Sequence, residues 1–135
     1  MNAERYETFE EFWPYYVGEH KDPLCRALHY VGTSLAIGTI ATAALTANPS
    51  WLLLTPVVGY GPAWFAHFVI EKNRPATFKY PLWSLRGDLR MLRYALEGRM
   101  AAEVDRLFPV STPEPLQEPE RRSPEVHTNG APAAL

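Results

Sequence analysis

The sequence contains one cysteine, Cys25, so it can form neither an internal disulfide nor a thiolate cluster. No Gly-x-x-x-x-Gly-Lys loop or Gly-x-Gly-x-x-Gly turn occurs, which leaves nucleotide binding without support. Ser34 lacks the glycine elbow of a hydrolase nucleophile and reads as a packing residue. Lys and Arg number 13 against 15 Asp and Glu, with no basic block, so a nucleic-acid partner is not expected. Met1 to Glu19 is polar, acidic and aromatic, unlike the basic start and apolar run of a cleavable signal.

The largest absence is of charge. Not one Asp, Glu, Lys or Arg occurs from Ala27 to Ile70. At about 20 residues per membrane pass, that length suffices for two passes and a tight connector. The slightly negative mean hydropathy hides this run, because the polar tail pulls the average down. Arg26, Lys21, Lys72, Arg74 and Lys79 lie outside the two ends of the run, and the connector carries no charge. By the positive-inside rule both termini are then expected to be cytoplasmic. The competing reading is a soluble hairpin buried in a core.

The expected fold class is all-α: a small helical membrane bundle built on a transmembrane hairpin with flanking amphipathic helices. Its domain spans residues 1–108. Residues 109–135 hold six prolines among polar residues and are expected to be a disordered tail. Glu4 to Gly18 places Tyr6, Phe9, Phe12, Trp13, Tyr16 and Val17 at helical spacing, as a core-facing helix or an interfacial belt, with Pro14 expected to break or kink it.

Pro23 opens a long helix running to about Ala47, with Gly32 and Ala36 as a small-xxx-small pair for close packing. Asn48-Pro49-Ser50 is a turn signal, and Trp51 suits a membrane–water boundary. Pro56, Gly59, Gly61 and Pro62 are expected to kink or split the second run. After Pro81, Leu82, Leu85, Leu89, Leu92 and Leu96 mark one helix face, with arginines largely off it. Packing of that leucine face on the hairpin is the first expectation, and lying flat on the headgroups is the alternative.

Histidine is scarce, with four copies, one of them (His127) in the tail. His29 sits three residues inside Arg26 and His67 four residues inside Glu71, so an antiparallel hairpin brings both to similar depth. His20 lies just before the first pass and can fold back over them. Three imidazoles and a carboxylate are a credible donor set for a first-row transition metal, with Glu71, Glu19, Asp22 or water as the fourth donor. The plainer reading is a pair of interfacial histidines bonded to backbone or water, with His20 exposed. Cys25 reads as a small buried side chain.

Two segments carry a resemblance. Phe12-Trp-Pro-Tyr-Tyr-Val-Gly-Glu-His20-Lys-Asp-Pro-Leu-Cys-Arg-Ala-Leu-His29-Tyr-Val-Gly-Thr33 and Gly59-Tyr-Gly-Pro-Ala-Trp-Phe-Ala-His67-Phe-Val-Ile-Glu71-Lys-Asn-Arg-Pro75-Ala76 resemble the Mpo-like family, which includes fungal 2-hydroxy fatty acid dioxygenases. The specific elements are the step from His20 to His29 and the His67-x-x-x-Glu71-x-x-x-Pro75-Ala76 run. This chain resembles a short, bacterial-type member; the longer members favour Asn where Cys25 stands and Gln where Ala63 stands.

The resemblance implies an integral membrane enzyme that uses Fe(II) and O2 to shorten 2-hydroxy fatty acids by one carbon. It implies His20, His29 and His67 as iron ligands and Glu71 as a catalytic group, either ligand or support. The implied partners are a fatty acid substrate, O2 and the membrane; oligomeric state is left open. The rivals are a non-enzymatic membrane scaffold and another metal-dependent lipid-modifying enzyme. Di-iron hydroxylases and desaturases need many more histidines than these.

Overall fold

The computed structural model describes residues 5–110. Five α-helices follow in order: α1 (Phe9–Gly18), α2 (Pro23–Thr46), α3 (Thr55–Phe65), α4 (Pro81–Leu96) and α5 (Met100–Leu107). Shorter 3-10 turns precede α3 (Pro49–Leu53) and α4 (Ala76–Phe78), and α3 runs on into a π-wound turn, Ala66–Glu71. No strand occurs among the described residues, so the fold is all-α. The tail expectation falls on residues 111–135, outside those described.

Local chemistry sets the helix ends. Thr8 and Glu11 form a reciprocal capping box, so α1 begins at Phe9 rather than Glu4. Pro14 lies inside α1 without breaking it. Asp22 caps α2 through bonds from the Leu24 and Cys25 amides at 2.7 and 3.3 Å, and Pro23 takes the first turn. Ala47, at φ 50°, ends α2 in the left-handed conformation, and Asn48 accepts from the Ser50 amide at 3.0 Å to turn the chain.

The second pass is not cleanly split. Its prolines and glycines instead change the winding, from 3-10 to α to π, along Pro49–Glu71. The passes cross where side chains are smallest. A Cβ on Gly32 would lie 2.6 Å from the Gly59 carbonyl oxygen, and one on Gly59 would lie 3.4 Å from the Ala36 Cβ. Only glycine at position 32 permits this backbone approach, which is the packing expected from the Gly32/Ala36 pair. A Thr39–Thr55 hydroxyl bond of 2.8 Å links the passes further along.

Both passes are long and apolar enough to cross a membrane, yet only 11% and 17% of their most apolar windows are buried. A soluble core hairpin would be mostly covered. Here Val31, Leu35, Ile40, Leu45, Leu53 and Val57 face outward, the pattern of lipid contact.

The true core lies beside the hairpin. Phe9, Phe12, Trp13, Tyr16 and Val17 of α1 pack with Ala76, Tyr80, Met91 and Met100, so the aromatic stripe of α1 is core rather than belt. Burial of a single side chain such as Phe12 contributes about 2–3 kcal/mol. For α4 the first expectation holds in part. The helix meets the hairpin, where Asp88 bonds His29 and Leu85 and Leu89 share a cavity wall with Ile37 and Ile40. The leucine row as a whole is not buried. The buried face of α4 is Ser84, Gly87 and Met91, while Leu82 and Leu96 are 78% and 81% exposed. The reason is steric: a Cβ on Gly87 would stand 2.9 Å from the Tyr16 ring, so the helix approaches α1 along its smallest residues.

Candidate metal centre

The loop between α1 and α2 carries His20 inward, and several bonds hold it there. Arg26 donates to the His20 and Lys21 carbonyls at 2.9 and 2.6 Å. The Asp22 amide donates to Glu71 Oε1 at 2.7 Å. Asn73 Nδ2 donates to the Glu19 carbonyl and to Glu19 Oε2 at 3.1 and 3.0 Å. The loop is thereby tied to α2 and to the end of the second pass. His20 is fully buried, not exposed.

His29 comes from the second turn of α2, and His67 from the π-wound turn that ends the second pass. The structure brings all three imidazoles together. Their ring centroids are 4.4 Å apart for His20–His29, 4.6 Å for His20–His67 and 5.0 Å for His29–His67, with the planes nearly perpendicular at 76–86°. His29 and His67 are also buried.

Each ring has one committed nitrogen. His20 Nδ1 lies 2.6 Å from the Tyr16 carbonyl oxygen, His29 Nδ1 2.8 Å from Asp88 Oδ1, and His67 Nδ1 2.7 Å from Asn73 Oδ1. A carbonyl and a carboxylate can only accept, so the first two nitrogens carry the proton. The Asn73 amide is oriented by its two Nδ2 bonds to Glu19, which turns its oxygen toward His67 and fixes that ring in the same tautomer.

All three Nε2 atoms are therefore lone-pair nitrogens, and none of them has a hydrogen-bond partner among the described residues. Those of His20 and His29 are fully enclosed. A buried acceptor left unpaired costs about 1–3 kcal/mol, and three neighbouring lone pairs cannot satisfy one another. A cation would. Burial, with the two neighbouring imidazoles, holds the His20 pKa well below its ordinary value, which keeps its lone pair available at neutral pH.

Cys25 enters the same picture. His20, Cys25 and His67 place ligand atoms within 4.8 Å of one another, all buried, a group that could hold a metal ion. Separation alone therefore selects Cys25, whereas hydrogen bonding selects His29. A metal-bound imidazole characteristically donates its other N–H to an oxygen, and His29 has that arrangement with Asp88. The Cys25 thiol instead neighbours the Glu71 carboxylate.

The carboxylates considered as a fourth donor are engaged elsewhere. Glu71 accepts from the Asp22 amide, Asp22 caps α2, and Glu19 accepts from Asn73. Burial, reinforced by the Glu71 charge, raises the Glu19 pKa.

Residues not singled out from sequence complete the site. Asp88 Oδ1 accepts from both His29 and the Tyr16 hydroxyl. The available signal was that Asp88 is the sole acid in Pro81–Leu96 and follows a glycine. Asn73 had no local signal, since its contacts are set by the turn after the π segment.

His29, His67 and Asp88 form the polar end of a cavity of about 430 Å³. Its remaining wall is largely apolar and includes Ile37, Ile40, Tyr60, Trp64, Leu85 and Leu89. Along α2 it reaches from His29 to Ile40, about 16 Å at the helical rise. The volume suits a small-molecule site.

Nothing among curated proteins or solved structures matches the chain. Residues 6–100 match the family described as 2-hydroxy-palmitic acid dioxygenase Mpo1-like. That span holds the histidine triad, its hydrogen-bonding partners and the cavity, and the chain belongs to the Mpo1-like family.

Proposed function

We propose that this protein is an Fe(II)-dependent dioxygenase that shortens 2-hydroxy fatty acids by one carbon with O2. Its site would lie at the cytoplasmic face of a bacterial inner membrane, with both termini on that side. The observation that carries the reading is the set of three buried imidazoles, each with Nδ1–H committed to an oxygen, at the polar end of an apolar cavity. The family description supports the substrate class.

His20, His29 and His67 would hold the metal. Three neutral imidazole nitrogens would hold a first-row metal such as non-haem Fe(II) while leaving other positions open. Iron, when bound, supplies the redox chemistry needed to use O2 for C1–C2 cleavage, which no side chain provides.

The chain's own residues do the rest. Tyr16 O, Asp88 and Asn73 keep the ligand rings in one tautomer and orientation. The cavity accepts the acyl chain from the hydrophobic phase and excludes water from it, with the carboxylate and 2-hydroxyl at the histidine end. Lys72, Arg74 and Lys79 flank that end of the pass in sequence and would attract the carboxylate. Glu71 acts by positioning, holding the Asp22 amide and hence the His20 loop against the end of the second pass.

The test is anaerobic loading with Fe(II) and 2-hydroxypalmitate, followed by admission of O2. The expected product is the odd-chain acid one carbon shorter. Its absence, with iron demonstrably bound, overturns the substrate assignment; absence of bound iron overturns the centre.

A further inference from the structure

Next to the cavity and sharing Leu89 with it, Arg86, Arg90, Arg93, Tyr94 and Arg99 surround a second pocket of about 350 Å³. Its charge is unbalanced. Arg90 is paired bidentately with Glu10, at 2.9 and 2.7 Å. Arg93 and Arg99 share the one Glu97 carboxylate, at 2.7 and 2.8 Å. Arg86 has no ion-pair partner among the described residues, and its guanidinium stacks 4.3 Å over the Phe9 ring. Four guanidiniums thus face two carboxylates. Glu103, the other nearby acid, is taken by Arg106 and Trp13. Stacking on Phe9, Trp13 and Tyr94 restricts Arg86, Arg90 and Arg99, so less rotamer entropy is lost when an anion is bound.

The position of α4 says where that anion comes from. The Asp88–His29 bond places the middle of α4 at the depth where the uncharged run of α2 begins. Leu82, Leu85, Leu89 and Leu96 are all exposed on the side of α4 next to the arginines. Leu85 and Leu89 share a cavity wall with Ile37 and Ile40, so the leucine row continues the lipid-facing surface of the hairpin. A helix with an apolar row at that depth, bordered by arginines, matches an in-plane interfacial helix at phosphate level.

We propose that the Arg86–Arg90–Arg93–Arg99 pocket binds the headgroup phosphate of an anionic membrane lipid, whose acyl chains lie along the exposed leucines of α4. Bidentate guanidinium–phosphate contacts supply the specificity, and the unpaired positive charge supplies the preference for anionic over zwitterionic headgroups.

The purified full chain in a neutral detergent, titrated with palmitoyl-oleoyl phosphatidylglycerol or phosphatidylcholine and read by native mass spectrometry, tests this without reference to catalysis. Phosphatidylglycerol should be retained about tenfold more tightly, with the preference falling at high salt and lost in the double variant Arg86→Gln/Arg93→Gln. Both side chains are exposed, so the double variant should keep its melting temperature. If it does not, Arg86→Lys/Arg93→Lys, which keeps charge but not the fork, should bind at intermediate strength. Equal retention of the two lipids, or a preference unchanged by salt, overturns the proposal. Displacement of phosphatidylglycerol by millimolar inorganic phosphate marks a free-anion site and overturns the lipid assignment.

Discussion

Asp88 accepts the Nδ1–H of His29 at 2.8 Å, and the same carboxylate oxygen takes the Tyr16 hydroxyl at 2.5 Å. One oxygen thus joins the aromatic core beside the hairpin to an imidazole at the start of its first helix. The Tyr16 carbonyl meanwhile orients His20, so a single core tyrosine supports two of the three rings.

That relationship predicts the behaviour of Asp88→Asn. The amide is a weaker partner for His29 and can present its NH2 group instead, favouring the wrong tautomer. Fe(II) affinity, measured by chelator competition, should fall about 10–100-fold while helix content is retained. Tyr16→Phe should lower it less, because its carbonyl still holds His20. Unchanged affinity in Asp88→Asn would remove Asp88 from the centre.

Choice between the overlapping donor sets is equally direct. His29→Ala should abolish stoichiometric iron, whereas Cys25→Ser should retain it within about threefold, a difference of well under 1.4 kcal/mol. A Co(II)-loaded sample should show no thiolate charge-transfer band. Loss of metal in Cys25→Ser with retention in His29→Ala would reverse the assignment.

Gly87 and Gly38 make a contrasting pair. A Cβ at Gly87 meets the Tyr16 ring at 2.9 Å, and one at Gly38 meets nothing within 4 Å. Gly87→Ala should therefore destabilise by about 1–3 kcal/mol, read as a lowered melting temperature, and should weaken metal binding through Tyr16. Gly38→Ala should be neutral or stabilising by up to about 1 kcal/mol.

The helix crossing gives a further test. Gly32→Ala drives a methyl into the Gly59 carbonyl, 2.6 Å away, with only backbone to yield. The passes must separate, which pulls His29 from His67. Reduced thermal stability in detergent together with loss of iron is expected; a variant that keeps both would show that the crossing does not set the site.

Acid stability should report on Glu103. Its bonds from Arg106, with that from Trp13, hold the carboxyl at about 2, below the ordinary 4.5. A depressed folded-state pKa stabilises the fold above about pH 4.5, and that contribution fades as the pH falls toward 2. Wild type should therefore lose melting temperature relative to Glu103→Gln between those limits. The difference should be small, about 1 kcal/mol at most, because Arg106 is largely exposed. Parallel curves would refute the linkage.

By itself the sequence determined the longer helices and the uncharged, apolar character of the hairpin. The uncharged run, Pro23, the Asn48-Pro49-Ser50 turn and the small-residue pair are local or periodic features, and such features act through the backbone and the solvent. Histidine spacing indicated that His20, His29 and His67 could meet. Only tertiary structure decided what makes the meeting chemically useful. The oxygens that hold the imidazoles include one 59 residues away, and the tyrosine behind it lies 72 residues from Asp88. No periodicity encodes such pairs.

The packing face of α4 was only partly legible for the same reason. Hydrophobic spacing reveals a leucine row but not whether protein or lipid covers it. Contact between Gly87 and Tyr16 settled which face of α4 meets the aromatic core, because the closest approach of two elements is limited by their smallest residues rather than drawn by their most apolar ones.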